Sequence, residues 1–307
     1  MSYHQRALLQ IHLCVFLWGF TAIFGRLISL PAFEIVWWRM LLVAVCLACV
    51  PRVWRALRSM PWRLIAVFAA IGGLLAMHWL TFYQSIKLAN ASVAATCMAI
   101  APAVTAMVEP LLTRTRFEPR NLLLAALVVP GVALVVGGMP SDMHLGFWLG
   151  VLSAVLIAMV NSLNKRYLGT QHVLAVTGLE VAGGLLVLML VLPLFAANGV
   201  AGLVPGRQDF LLLMTLAIVC TLLPFALSLV ALRHLSAFTA QLAVNLEPIY
   251  TVVIAAVFLN EAQQLQSRFY LGALIVIATM LVHSRWFASK QLPPGTDPMG
   301  MPRRPPD

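Results

Sequence analysis

Apolar stretches of about 20 residues recur along the chain, each long enough to cross the hydrocarbon core of a bilayer as a helix. Short polar or proline-containing links separate them. The pattern predicts ten spans, at residues 8–28, 32–50, 64–86, 91–112, 121–138, 146–166, 173–195, 210–231, 237–259 and 269–287. No link is long enough for a soluble domain. The segment 289–307, with its run KQLPPGTDPMGMPRRPPD, is proline-rich and non-periodic and reads as a disordered tail. The first apolar run follows His4 and Arg6 and contains Trp18 and Gly19 without a small-residue cleavage site, which predicts a retained span rather than a signal peptide.

A loose internal copy organises these spans. IKLANASVAATCMAIAPAV, residues 86–104, is answered 146 positions later by LRHLSAFTAQLAVNLEPIY, so that Lys87 falls on Arg233, Ala91 on Ala237 and Pro102 on Pro248. Repeated spans are a mark of transporter architecture. The expected arrangement is two five-span halves, 1–140 and 141–288.

Composition agrees with this pattern. The chain is 62% hydrophobic and 10% charged, where soluble domains carry about 25% charged residues. Its net charge of +10 would suggest nucleic acid in a soluble protein. Here the cations cluster at span ends, and nucleic-acid binding is not expected. With the N-terminus inside, the cytoplasmic side receives Arg6, Arg52, Arg55, Arg58, Arg63, Arg114, Arg116, Arg120, Lys165, Arg166, Arg233, Arg285, Lys290, Arg303 and Arg304. The other side receives only Arg26, Arg39, Lys87, Arg207 and Arg268. This is a positive-inside bias that places both termini in the cytoplasm. Five spans per half make the second half enter from the opposite face, so the repeats are expected to be inverted. The five cysteines lie in apolar spans as small hydrophobes, and Cys46-x-x-Cys49 lacks the second ligand pair of a zinc site.

Three blocks carry a family resemblance: FLWGFTAIFGRL with WWRMLL; HWLTFYQSIKLANASVAATCMAIAPAVTAMVEPLL; and ALRHLSAFTAQLAVNLEPIYTVVIAAVFLNE with FYLGALIVIATML. Over residues 8–287 the chain resembles the EamA-type branch of the drug/metabolite transporter superfamily. The second repeat follows the family form, an apolar-Pro helix running to a terminal Glu, here Glu261. The first departs from it: Thr113 to Arg116 stand where Gly-Glu is expected, and Glu109-Pro110 is extra. The resemblance implies an all-α polytopic membrane protein of ten helices, two inverted five-helix bundles around a central cavity. Spans 1, 3, 4, 6, 8 and 9 would line the pathway. It also implies movement of small organic metabolites, often outward, across a bacterial inner membrane.

Several residues could carry that chemistry. Glu247 lies about 15 Å of helix from the start of the ninth span. A charge facing lipid there costs at least about 2.5–3.5 kcal/mol. It is therefore a candidate substrate or proton site beside the interruption at Pro248, the alternative being a helix-to-helix hydrogen bond. Ala101 occupies the equivalent place in the first repeat, before Pro102. His78, Thr81, Phe82 and Ser85 share a helical face; His78 is a candidate proton relay or a helix-packing hydrogen bond. Trp18, Asn161, Asn164, Gln241 and Asn245 are further binding candidates, with plain packing as the alternative. Glu34 and Glu180, also 146 apart, follow helices that end in Arg26 and in Lys165 and Arg166. They are candidate alternating gates, or simply acidic groups complementing helix dipoles. Arg39 either snorkels outward or meets an anionic substrate. The Asn90-Ala-Ser92 sequon hugs the membrane edge and is discounted.

The leading expectation is a secondary or facilitative carrier of amino acids or related compounds, monomer or homodimer, with no cofactor, no metal and no enzymatic activity. Its partners would be the small-molecule substrate, the bilayer and a proton. No phosphate-binding loop indicates direct use of ATP. The alternatives are a membrane enzyme acting on lipid-linked substrates, for which the scattered histidines provide no acid-base or metal cluster, and a non-transporting sensor or assembly subunit.

Overall fold

The computed structural model describes residues 3–113, 120–195, 204–231, 243–244, 246–259 and 261–291, and these are α-helical with short 3-10 and π turns. The helices are α1 (Tyr3–Leu27), α2 (Ala32–Ala48), α3 (Pro51–Arg58), α4 (Trp62–Leu88), α5 (Ala91–Met98), α6 (Ala101–Thr113) and α7 (Arg120–Gly137). They continue as α8 (His144–Tyr167), α9 (Val173–Phe195), α10 (Arg207–Ala217), α11 (Leu223–Ala231), α12 (Glu247–Phe258) and α13 (Ser267–Gln291). Proline marks several starts, where its missing N–H costs nothing: Pro31 and Pro61 precede α2 and α4, and Pro51 opens α3. The outer surface is apolar, with Leu186, Leu190, Leu271 and Leu274 all exposed. Water would penalise that surface and lipid does not. The protein is an integral membrane protein.

The helices are less uniform than the hydropathy pattern. Among the described residues, five are long and apolar enough to cross a membrane, and six if the bent pair α2–α3 is one span. Four further apolar segments are shorter. The reasons are local. The second predicted span stops at Ala48, and the chain turns through 85° into α3, which carries Arg52, Arg55 and Arg58 exposed. The fourth predicted span breaks between Met98 and Ala101, so that Pro102 becomes the second residue of α6. The eighth passes through a π turn, Ile218–Leu222, where the Thr221 hydroxyl donates to the Leu216 carbonyl at 2.9 Å. The first six residues of the ninth (237–242) and the tail 292–307 lie outside the described residues.

Packing exchanges the two halves. α4 lies against α8 and α9, and correspondingly the α10–α11 segment lies against α1 and α2. The last helices of each half, α7 and α13, pack together. Small residues bring the axes close, which is how helices gain contact where no hydrophobic effect drives them together. At the α4–α9 crossing a Cβ on Gly72 would stand 2.0 Å from the Glu180 carbonyl oxygen, and one on Gly183 2.3 Å from that of Ala69. α7 and α13 meet through Gly131 and Gly272, where a Cβ on Gly272 would be 2.5 Å from the Gly131 carbonyl oxygen. The main buried cluster sits where α1, α2, α4, α9 and α10 converge, around Met40, Trp79, Tyr83, Leu188 and Leu213.

Backbone contact at Gly183 leaves no room for a side chain. Gly183→Val is expected to cost about 1–3 kcal/mol or more and to lower the thermal unfolding midpoint of the detergent-purified protein. Gly137→Ala, where an added Cβ meets nothing within 4 Å, is expected to leave the midpoint unchanged.

Candidate functional site

A narrow cleft lies where α1, α4, α5 and α12 meet. Its lining is Trp18 and Ala22 from α1, Phe82 from α4, Ala95 and Met98 from α5, and Glu247, Pro248 and Thr251 from α12. Helix breaks shape it. α5 ends at Met98, beside the cleft, and α12 begins with Glu247, with Pro248 in its first turn. The Glu247 carboxylate is half-buried at that helix N-terminus, where the dipole favours a negative charge. α1 and α12 touch closely: a Cβ on Gly19 would lie 3.1 Å from that of Tyr250, and the Thr251 hydroxyl donates to the Gly19 carbonyl at 3.1 Å. The Trp18 ring packs edge-on against Phe225 at 5.9 Å, and Phe82 stacks on His78 at 6.3 Å.

The sequence candidates divide on this geometry. Trp18, Phe82, Glu247 and Pro248 come together in one cleft. His78 turns to α8: its Nδ1 lies 2.9 Å from the Ser153 carbonyl oxygen and 2.8 Å from the Ser153 hydroxyl. That hydroxyl donates to the His78 carbonyl at 2.9 Å. The Thr81 hydroxyl bonds back to Met77 and His78 of its own helix. Asn161 is exposed, and Asn164 bonds to Glu180. Gln241 and Asn245 lie outside the described residues. Pro102 opens α6, away from the cleft lining.

Among the described side chains, the gate candidates are not joined as acid–base pairs. Arg26 is exposed and Glu34 half-buried, and no ion pair links them. The Arg166 guanidinium donates to the Leu112 carbonyl, and the side chain of Lys165 is outside what the structure describes. The loop between α1 and α2 is held differently. The Ser29 amide and hydroxyl donate to the Asp209 carboxylate of α10, and Lys87 donates to the Ile28 carbonyl.

Two polar arrangements stand out beyond the cleft. Arg39 does not snorkel. It is 4% exposed, donates from Nε to Thr221 at 2.9 Å and from Nη1 to the Tyr83 hydroxyl at 3.0 Å, and lies 3.9 Å above the Trp79 ring. This cradle of hydroxyls and a π face uses the π turn to place Thr221. The second arrangement is Glu261, 1% exposed, whose carboxylate accepts from the amides of Ala91 and Ser92 at 2.9 Å and from the Ser92 hydroxyl at 2.7 Å. Asn90 completes that end of α5, its side chain accepting from the Val93 amide at 2.9 Å. The sequon asparagine is thus 0% exposed and occupied as a cap.

The model of the EamA-like transporter family matches this chain twice, at residues 5–137 and 144–285. The chain belongs to that family. The two matches divide it into two repeats at the start of α8. It is also 29% identical over 296 residues to the uncharacterized transporter PA0485 of Pseudomonas aeruginosa, covering 90% of this chain and 93% of the relative. A crystal structure titled only as that of a protein superposes with a TM-score of 0.60 at 16% identity, over 91% of this chain and 96% of that one. The superposition shows the fold alone. Family and relative together make this EamA protein a membrane transporter.

Glu261 joins the second repeat to α5 of the first through charge-assisted hydrogen bonds. Replacing it with Leu leaves two amides of α5 and a hydroxyl unpaired, each costing about 1–3 kcal/mol. The expected outcome is a large fall in the thermal unfolding midpoint, with Ser92→Ala falling much less.

Proposed function

We propose that the protein is a secondary carrier of small organic metabolites, amino acids or related amine-bearing compounds, which it exports by alternating access. Ten membrane crossings in two inverted five-helix repeats underlie this reading. The reciprocal packing of α4 on α8 and α9, and of α10–α11 on α1 and α2, supports the inversion. The family's repeats and the basic residues clustered on one side support cytoplasmic termini in a bacterial inner membrane. No enzymatic step is invoked.

One observation carries the proposal. Glu247 stands at the start of α12 in a cleft walled by Trp18, Phe82 and Met98. A carboxylate framed by aromatic faces is suited to an ammonium group, which gains both charge pairing and cation–π attraction in a dry site. The wall takes helices from both repeats. Rocking one repeat against the other therefore opens the same site to either face. The bound amine neutralises Glu247 during the movement, which lowers the cost of carrying the charge through lipid.

Counterflow of labelled amino acids into proteoliposomes tests this directly. The wild-type protein is expected to accumulate label against preloaded substrate. Glu247→Gln, with its size-exclusion profile unchanged, is expected to lower the rate at least about tenfold, or about 1.4 kcal/mol. Wild-type rates in that variant would remove Glu247 from the mechanism.

A further inference from the structure

A second buried carboxyl group lies outside the cleft. Glu180 is seven residues into α9, about 10 Å along the helix from its first residue, and is 7% exposed. That depth is beyond the first turn, where a helix dipole would still favour a charge. Its surroundings are apolar. Val176, one turn earlier on the same face of α9, belongs to a buried cluster with Phe68 and Ile71 of α4 and Val160 of α8. Val160 is in turn one turn before Asn164 on the same face of α8.

The hydrogen bonding is incomplete in a specific way. Glu180 bonds to Asn164. Glu180 Oε1 and Asn164 Oδ1 are nevertheless both buried without a partner. Two acceptors left unpaired in an apolar cluster cost several kcal/mol on general grounds. A carboxylate and an amide offer four groups between them, and the pair lacks one hydrogen. A proton on Oε1 turns that atom into a donor, and Asn164 Oδ1 is the unpartnered acceptor on the residue that Glu180 bonds to. The Asn164 amide N–H meanwhile donates to the Glu180 carboxyl group.

Among the described side chains, no cation competes for the place. On α3, Arg52, Arg55 and Arg58 are exposed. On α2, Arg39 is held by Thr221 and Tyr83. On α4, His78 is bound to Ser153 and Arg63 is exposed. On α8, Arg166 donates to Leu112, and the Lys165 side chain is not among those described. At Gly72, α4 packs directly against the backbone of Glu180 itself.

We infer that Glu180 and Asn164 form a proton-binding site within the membrane, separate from the substrate cleft. Its role rests on the carrier reading above. The site lies on α9 where that helix crosses α4 of the other repeat, so movement between the repeats alters its enclosure and exchanges its proton with one side. Protonation involves no other change in bonding: the proton arrives from water and returns to it.

Infrared spectroscopy of the purified full-length protein in lipid nanodiscs tests the site, with the proton itself as probe. At neutral pH the wild-type protein is expected to show the carbonyl stretch of a protonated, hydrogen-bonded carboxyl that shifts in heavy water. Glu180→Gln is expected to lose that band, and Glu247→Gln to keep it. Asn164→Leu retains Glu180 and is expected to move the band to higher frequency, a second readout should Glu180→Gln fold poorly. A spectrum unchanged by Glu180→Gln, or a band indifferent to Asn164→Leu, overturns the inference. The measurement needs no substrate. A protein that shows the band but carries nothing sinks the carrier reading alone, and an active carrier without the band sinks this one alone.

Discussion

A helix interrupted inside a bilayer leaves backbone amides and carbonyls that no water reaches, and most of this architecture follows from how they are satisfied. The two helices whose ends border the cleft, α5 and α12, are both short. At the start of α5, the end away from the cleft, the free amides are taken by the Glu261 carboxylate from the far side of the chain and by Asn90 from its own cap. At α12 the second residue is Pro248, which has no amide to satisfy. The cleft lies between the C-terminal end of α5 at Met98 and the N-terminal end of α12. Its single carboxylate, Glu247, sits at one of them.

The same constraint explains the glycines. Lipid offers no hydrophobic gain to helix association, so the axes must approach until backbone touches backbone. Gly72 and Gly183 do this for α4 and α9, and Gly131 and Gly272 for α7 and α13. The first contact joins the two repeats along the length of α4. It also presses α4 against the turn of α9 that carries Glu180, which is why a polar side chain there finds its partner on α8. Arg39 is solved differently, with hydroxyls and an aromatic face in place of a carboxylate.

Much of this was legible residue by residue. Glu247 and Trp18 drew attention because a carboxylate and an indole are conspicuous in apolar runs, and Phe82 through its stripe with His78. Ala95, Met98 and Thr251 were invisible: small and apolar residues look alike whether they line a cavity or a helix contact. His78 shows the converse. Its stripe with Thr81 and Phe82 reads as one surface, but Ser153 captures its ring across α8 and Thr81 bonds back to its own helix. Arg39 was undecided between lipid surface and interior, because the hydroxyls that hold it are 44 and 182 positions away in the chain. Glu261 was recognisable as a family feature, without any sign of the helix end it caps.

The sequence by itself determined the solvent, the helical class and the two-fold repetition, because hydrophobic length and internal similarity are properties of single stretches of chain. Where each helix breaks was only half determined. Proline marks the neighbourhood, but the end of α5 and the π turn depend on which donors and acceptors lie opposite. Which polar residues share a space was decided by the tertiary structure alone. A side chain on an apolar helix is functional or merely satisfied according to its neighbour on another helix, and that neighbour is set by how closely the backbones pack.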